Sequence, residues 1–166
     1  MDRLWAPWRM EYIKTTVQDN PDAACVFCEM LAASDDRKNL ILHRFERCFL
    51  LMNLFPYTSG HLMVVPTRHT ADFSSITLEE HADFGRTLAL AQCILTECFA
   101  PHGFNIGMNL GRPAGAGIQD HLHYHIVPRW SGDANFMTAV GHTRVMSEGL
   151  DDSWQRLKEA LKNRIK

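Results

Sequence analysis

Apolar and polar positions alternate most strictly over residues 121–128, where the sequence reads HLHYHIVP and three histidines occupy alternate positions. Successive side chains of a strand point to opposite faces, so the histidines would share one face and the apolar residues between them the other. On a helix the same side chains would scatter around the axis. The pattern therefore predicts a β-strand with imidazoles on one face and an apolar stripe on the other.

Similar patterns predict the remaining elements. They indicate a short helix over 22–33, two strands with a tight turn over 40–53, a strand over 61–66, a capped helix from Thr77 to about Phe99, a strand over 104–109 and a polar helix beginning near Ser153. Tight turns between adjacent strands favour an antiparallel sheet, so we expect an α+β domain with helices packed on that sheet. We expect residues 1–20 to form an N-terminal arm and residues 21–166 to form a single domain.

Composition narrows the class of protein. The chain is 22% charged and 46% apolar with a formal net charge of −2, which is ordinary for a globular domain and gives no general grip on nucleic acid. Its apolar runs are far shorter than the roughly 20 residues of a membrane span, and the N-terminus lacks the apolar core of a secretion signal. The five cysteines do not suggest a disulfide framework. We expect a cytoplasmic protein that binds neither nucleic acid nor membranes.

The alternating histidines allow two kinds of chemistry. Imidazoles on one strand face are suitable ligands for zinc, copper or iron. Alternatively, one imidazole is a nucleophile that attacks phosphorus while the others handle charge and protons. A third interpretation, surface histidines without a role, is disfavoured by the strict alternation and the apolar reverse face.

A glycine-rich loop over residues 111–117 helps to choose between these chemistries. Few side chains block its backbone N–H groups, and such loops can form an anion-binding nest, although most glycine-rich loops are only turns. The loop ends four residues before His121, so an anion held by it could also reach the imidazoles. A phosphate with His123 in the attacking position fits both features.

Two cysteines, Cys25 and Cys28, have the spacing of a redox-active pair or of half a zinc site. Zinc needs two further ligands, and spacing alone does not select them. The alternative is a pair of small buried thiols.

Residues 121–127 resemble the signature of the histidine triad (HIT) family, in which three histidines alternate with apolar residues and two apolar residues follow. Further counterparts of that family lie along most of the chain: Cys25-x-x-Cys28, Asn53, residues 60–66 and His69. Residues 5–9 and 129–137 are similar to a microbial branch associated with diadenosine tetraphosphate phosphorylases or hydrolases. The resemblance implies a HIT-like α+β fold.

The resemblance also implies a nucleotide hydrolase or transferase that cleaves at the α-phosphate of a dinucleoside polyphosphate or a related nucleotide conjugate. His123 would attack phosphorus, and water or inorganic phosphate would discharge the covalent nucleotidyl-histidine intermediate. His125 would bind the phosphate or the leaving oxygen and pass a proton to it. Backbone N–H groups near Gly115, Gly117 and Ile118 would stabilise the phosphoryl charge.

The nucleotide would be a purine nucleotide or a dinucleoside polyphosphate. The resemblance implies that Asn53 hydrogen-bonds the ribose, that Leu51 lines the base, and that Asn109 lies near the phosphates. For Leu51, ordinary core packing is the alternative. Family members pair their sheets, so a homodimer or a larger homo-oligomer is expected.

The resemblance finally implies a structural zinc held by Cys25, Cys28, His69 and His121, which would keep His121 away from catalysis. Magnesium is a further candidate, as the companion of a polyphosphate substrate. Two rival functions remain open: a metal-dependent enzyme that uses the whole triad as ligands, and a non-catalytic purine-nucleotide sensor. The other histidines have no motif support and are interpreted as structural or surface residues: His43, His61, His81, His102 and His142.

Overall fold

The computed structural model of the chain describes residues 24–133, 140–141, 146 and 148–165, so the predicted N-terminal arm lies outside the described residues. The helices and strands are α1 (Val26–Ala32), β1 (Ile41–Arg44), β2 (Cys48–Met52), β3 (Leu62–Pro66), α2 (Leu78–Phe99), β4 (Gly103–Gly107), β5 (Tyr124–Arg129) and α3 (Leu150–Lys162). Short 3₁₀ turns cover Phe73–Ser75 and Arg112–Ala114. None of the helices among these residues is both long and apolar enough to cross a membrane.

The strands form one five-stranded sheet in the order β1-β2-β3-β5-β4. All neighbouring strands run antiparallel, and the helices pack on the sheet. The predicted α+β class is therefore confirmed. Because β5 lies between β3 and β4, the histidine segment leads into an interior strand of the sheet rather than an edge strand.

The helix α2 begins where its sequence predicts, at a capping box. The Thr77 hydroxyl accepts from the Glu80 N–H, and the Glu80 carboxylate accepts from the Thr77 N–H, so two backbone donors of the first turn are satisfied. Arg68 makes two further bonds to the same carboxylate, at 3.0 and 3.1 Å. This contact ties the chain after β3 to the helix.

Two helices begin at positions that differ from the prediction. The first helix starts at Val26 with Cys25 as its N-cap, and the predicted start at Asp22 lies outside the described residues. The C-terminal helix starts at Leu150 rather than near Ser153, because Asp151 and Asp152 fit the first turn of a helix, where the helix dipole favours negative charge.

The sheet has two dissimilar faces. One face packs against α2 and α3 and forms the larger apolar core, which includes Leu122 and Ile126. The other face packs a smaller cluster against α1: Phe27, Ile41, Phe49, Leu51, Met63 and Val65. The apolar residues between the histidines therefore point to the larger core, as predicted, and the imidazoles lie on the side of α1.

The predicted strand over the histidines is only partly present. Strand β5 begins at Tyr124, opposite Val64, so His121 and His123 precede it. The ladder with β3 stops here because Pro66 has no N–H to donate, and its carbonyl accepts from the His121 ring instead. The Leu122 N–H bonds to the Thr70 carbonyl beyond β3.

A close approach fixes the turn before β3. Gly60 has φ +76°, and a Cβ at this position would lie 3.0 Å from a Leu95 methyl carbon and 3.1 Å from the Phe99 ring. Only glycine accepts both this conformation and this contact with α2. The helix thus determines where the next residue, His61, enters the sheet.

Candidate functional site

Four residues with metal-binding side chains meet where the histidine segment begins. Cys25 caps α1, Cys28 lies in its first turn, His69 follows β3, and His121 precedes β5. One ligand atom from each lies within 4.8 Å of the others. We call this group the Cys–His cluster.

The spacing of the Cys–His cluster suits one tetrahedral ion. The Nδ1 atoms of His69 and His121 are 3.3 Å apart. The Sγ of Cys25 lies 3.3 Å from His121 Nδ1, and the Sγ of Cys28 lies 3.4 Å from His69 Nδ1 and 3.7 Å from His121 Nδ1. With Zn–S bonds of about 2.3 Å and Zn–N bonds of about 2.05 Å, a tetrahedron places its nitrogens about 3.3 Å apart and nitrogen and sulfur about 3.6 Å apart. The cluster fits zinc in donor chemistry and in spacing.

The proton of His121 is on the nitrogen that faces away from the cluster. Its Nε2 lies 2.9 Å from the Pro66 carbonyl, which can only accept, so Nε2 is protonated and Nδ1 presents a lone pair to the cysteines. Such a bond to a carbonyl is the usual support of a metal-ligating histidine. Burial and the neighbouring Cys25 raise the pKa of Cys28, so its thiolate would need a cation.

His123 has the opposite tautomer. Its Nδ1 donates to the His121 carbonyl at 2.9 Å, so the neutral ring presents its lone pair at Nε2. Only 6% of the residue is exposed. Burial lowers the pKa of His123, and this outweighs the hydrogen bond to the carbonyl, which raises it. The ring is therefore held neutral in a fixed orientation, which is what a nitrogen nucleophile needs.

His125 is held through a second histidine that the motif does not contain. Its Nδ1 lies 2.9 Å from Nε2 of His61, which is fully buried and directly precedes β3. The two rings of His123 and His125 have centroids 5.0 Å apart at an interplanar angle of 78°. Burial lowers the pKa of His125 to about 4, and burial together with His125 lowers the pKa of His61 to about 3. Both imidazoles are neutral at neutral pH.

Phe27 links the Cys–His cluster to the histidine segment. It lies between the two cysteines in α1, is 1% exposed, and places its ring centroid 5.4 Å from that of His121 and 5.3 Å from that of His123. The segment that supplies the thiols therefore also supplies an apolar wall to the His123 imidazole.

The predicted ribose contact, Asn53, lies next to His61. Its Oδ1 accepts from the Phe55 N–H at 2.9 Å, and its Nδ2 is 3.4 Å from the His61 Nδ1. Leu51 is 1% exposed and packs in the smaller apolar cluster beside Phe27. Both residues are thus on the α1 side of the sheet, and their roles stay predictions.

The glycine-rich loop folds back on itself before it reaches the histidines. The Gly115 N–H donates to the Arg112 carbonyl at 2.9 Å, and Asn109 Nδ2 lies 3.4 Å from the Gly115 carbonyl. Gly115 also has φ +98°, a conformation that suits glycine. These two contacts shape the loop, and the phosphate-binding roles of Gly115 and Asn109 stay predictions. Ile118 packs against the cluster that contains Phe27.

The structure brings together the four residues that the resemblance implied as zinc ligands. His61, which was interpreted as a structural or surface residue, is fully buried and lies against His125, a contact that was not predicted. A signal was present: His61 is a polar residue directly before the apolar run 62–66, in a strand that an antiparallel sheet could pair with the histidine segment.

The comparisons agree with this architecture. The HIT domain family model matches residues 35–132, and the chain belongs to the histidine triad family. A protein of Mycobacterium tuberculosis (strain CDC 1551 / Oshkosh) named AP-4-A phosphorylase is 38% identical over 158 residues, which cover 92% of this chain and 80% of that protein. A Saccharomyces cerevisiae (strain YJM789) bis(5'-adenosyl)-triphosphatase is 31% identical over 91 residues, covering 54% of this chain and 44% of that protein.

The fold also matches solved structures. A zinc-bound histidine triad family protein from Mycobacterium smegmatis is 26% identical, with a TM-score of 0.68, and the match covers 85% of this chain and 95% of that one. A hypothetical histidine triad nucleotide-binding protein from Sulfolobus tokodaii has a TM-score of 0.67 at 22% identity, covering 84% of this chain and 93% of that one. The second likeness concerns the fold alone.

Proposed function

We propose that this protein is a nucleotide hydrolase or transferase that cleaves a dinucleoside polyphosphate at its α-phosphate through a covalent intermediate on His123. The observation that carries the proposal is the 2.9 Å bond from His123 Nδ1 to the His121 carbonyl. It leaves the Nε2 lone pair of a buried, neutral imidazole as the nucleophile.

In the first step the lone pair of His123 Nε2 forms a bond to the α-phosphorus. The bond from that phosphorus to the bridging oxygen breaks, and its electron pair leaves with the second nucleotide. His125 donates a hydrogen bond to that oxygen and so stabilises the charge that develops there. Water or inorganic phosphate then attacks the same phosphorus and frees His123.

The surrounding residues would hold the nucleotide. Backbone N–H groups of Gly117 and Ile118 would bind the phosphoryl oxygens, since loops of this kind stabilise anions. Asn53 would bind the ribose and Leu51 would contact the base. Magnesium would accompany the polyphosphate as a charge partner.

The choice of substrate is supported by the relatives. The AP-4-A phosphorylase of M. tuberculosis is similar over 92% of this chain, and the yeast protein named bis(5'-adenosyl)-triphosphatase over 54%. We therefore propose diadenosine tetraphosphate as the first substrate to test. The two discharge routes differ in products, because water releases AMP from the intermediate and inorganic phosphate releases ADP.

We also propose a structural zinc ion in the Cys–His cluster. The fit of the four ligand atoms supports it, as does the zinc-bound relative from M. smegmatis. Bound zinc would hold α1 against the histidine segment, and His121 would be a ligand rather than a catalytic residue.

The direct test is to incubate the protein with diadenosine tetraphosphate, with and without inorganic phosphate, and to identify the nucleotides released. Rapid quenching in acid-free denaturant followed by mass spectrometry should find AMP bound to the peptide that contains His123. Turnover with full activity in the His123→Asn variant would overturn the mechanism.

The rival functions predict other results. A catalytic metal held by the whole triad would make activity depend on that metal, so metal analysis after chelation, with activity followed, separates this function from the proposed one. Tight AMP binding without cleavage of any nucleotide tested would instead identify a sensor. The predicted homodimer or larger homo-oligomer is a separate expectation, which sedimentation analysis would check.

A further inference from the structure

The neighbours of His61 determine which of the two histidines, His61 or His125, donates the hydrogen bond between them. The Tyr57 N–H points at Nδ1 of His61 at 3.1 Å, and a backbone N–H can only donate. Asn53 also directs its NH₂ group to this nitrogen, since its oxygen already accepts from the Phe55 N–H. His61 Nδ1 is therefore unprotonated.

The tautomer of His61 in turn determines the tautomer of His125. A neutral His61 with an unprotonated Nδ1 carries its proton on Nε2, which lies 2.9 Å from His125 Nδ1. That nitrogen of His125 must accept, so the neutral ring of His125 carries its own proton on Nε2. Only one set of tautomers for His61 and His125 is consistent with these contacts, because the Tyr57 backbone N–H is always a donor.

The two histidines of the proposed reaction are thus opposite tautomers. A carbonyl accepts from Nδ1 of His123, so Nε2 of His123 has a free lone pair. The N–H of His61 donates to Nδ1 of His125, so Nε2 of His125 carries a proton and can donate. An attacking nitrogen and a donor to the leaving oxygen are the two groups that the reaction needs.

We propose that His61 is a positioning residue that fixes His125 as a neutral hydrogen-bond donor to the leaving group. The inference rests on the proposed function, and it adds a residue outside the triad motif. His61 is suited to this role because it is fully buried and the Tyr57 ring packs on it, with centroids 4.5 Å apart. A charged His125 would present a second N–H to that of His61, so the contact also keeps His125 neutral.

A matched pair of variants separates this role from a structural one. His61→Gln keeps an N–H donor that can reach His125, and His61→Met has a similar volume without a donor. His43→Met, on β1, controls for the loss of an imidazole elsewhere in the sheet. All proteins are compared in the zinc-loaded form.

The kinetic readout is the dependence on the leaving group. Adenosine 5'-phosphate aryl esters with phenols of rising pKa are hydrolysed, and kcat/KM is plotted against that pKa. We expect His61→Met to lose about tenfold or more on the most basic phenol and little on the least basic one, because only the former needs the donor. His61→Gln should recover most of the loss.

The second readout needs no turnover. Long-range ¹H–¹⁵N correlation of the wild-type protein should give a protonated Nε2 and an unprotonated Nδ1 for His125, assigned by its absence in His125→Gln. The His61→Met spectrum should contain both tautomers.

The outcomes are distinguishable. An equal loss of kcat/KM on every ester in His61→Met, or a protonated Nδ1 of His125 in the wild type, would overturn the inference. The proposed function would still stand if the wild type cleaved its substrates. Failure of the wild type to cleave diadenosine tetraphosphate and every ester would overturn both.

Discussion

The Cys–His cluster and the pair formed by His123 and His125 draw on alternate residues of one short segment, yet they use different imidazole nitrogens. His121 presents Nδ1 to the cysteines because its Nε2 donates to a carbonyl, and His123 presents Nε2 because its Nδ1 does so. The sequence motif repeats one side chain, but the surroundings of each ring assign its chemistry. A repeated residue type therefore does not imply a repeated role.

One carbonyl joins the two regions. The ring of His121 belongs to the Cys–His cluster, while its backbone oxygen accepts the proton of His123. The cluster can thus influence His123, the proposed nucleophile, through a main-chain atom, without sharing a side chain with it. Variants in one region should therefore have graded effects on the other.

The largest expected effect is at His123, the proposed nucleophile. His123→Asn removes the attacking nitrogen while keeping a polar side chain of smaller size, so kcat on diadenosine tetraphosphate should fall by roughly 10⁴-fold or more. Zinc content, measured by atomic absorption, should stay at the wild-type level because His123 is not one of the four proposed ligands. His43→Asn is the control, and it should retain activity.

Removal of one proposed ligand of the Cys–His cluster should affect zinc content and stability more than activity. Cys28→Ser should lose the zinc and lower the thermal midpoint by many degrees, since a structural zinc contributes several kcal/mol or more. Activity should fall less than in His123→Asn because the nucleophile is intact. Cys93→Ser, an exposed cysteine of α2, is the matched control. Cys28→Ser that retained one equivalent of zinc would contradict the assignment.

The neutral pair His61 and His125 should make the protein sensitive to acid. Their pKa values lie at about 3 and 4, below the unfolded value of about 6.5, so the unfolded chain takes up protons that the folded chain does not. The free energy of unfolding should therefore fall as the pH drops through 6.5, and the loss should level off near pH 3–4.

Between pH 7 and pH 5 each such histidine contributes a loss of up to about 2 kcal/mol. Urea denaturation of wild type and His61→Met at both pH values measures the contribution of His61 together with any effect of its loss on His125, because acid effects on the Cys–His cluster are common to the two proteins. An equal acid sensitivity of the two proteins would contradict the low pKa of His61.

The smallest effect concerns the link between the regions. Phe27→Leu should lower the free energy of unfolding by about 1–2 kcal/mol and reduce kcat several-fold, because the wall beside both imidazoles is trimmed. Phe49→Leu is the control: this buried ring contacts Phe27, with centroids 6.4 Å apart, within the same apolar cluster. It should lose similar stability without the loss of kcat.

The alternation of apolar and polar residues predicted the sheet and its two faces, because burial acts on every second residue of a strand. It did not predict where β5 begins, since that depends on Pro66 in another strand and on the Thr70 carbonyl beyond it. The pattern of apolar and polar residues in one segment does not show where the neighbouring strand lacks a backbone N–H to pair with it.

The site was predictable to the extent that its residues form local motifs or have family counterparts. The Cys25-x-x-Cys28 pair and the alternating histidines were visible in the sequence, and the resemblance supplied His69. His61 was not found, because its contact with His125 depends on the pairing of β3 with β5 across 64 positions. The tautomers were beyond sequence reasoning, since they follow from which atom faces each Nδ1.

Gly60 contributes no atom to the histidine network, yet a methyl group there would meet Leu95 and Phe99 of α2. With φ +76° a side chain at this position would be strained, and Leu95, Phe99 or the turn beside His61 would have to shift to make room for it. One added carbon at a chemically inert position can therefore disturb the histidine network. A survey of natural variants that ranked positions by reactivity alone would overlook it.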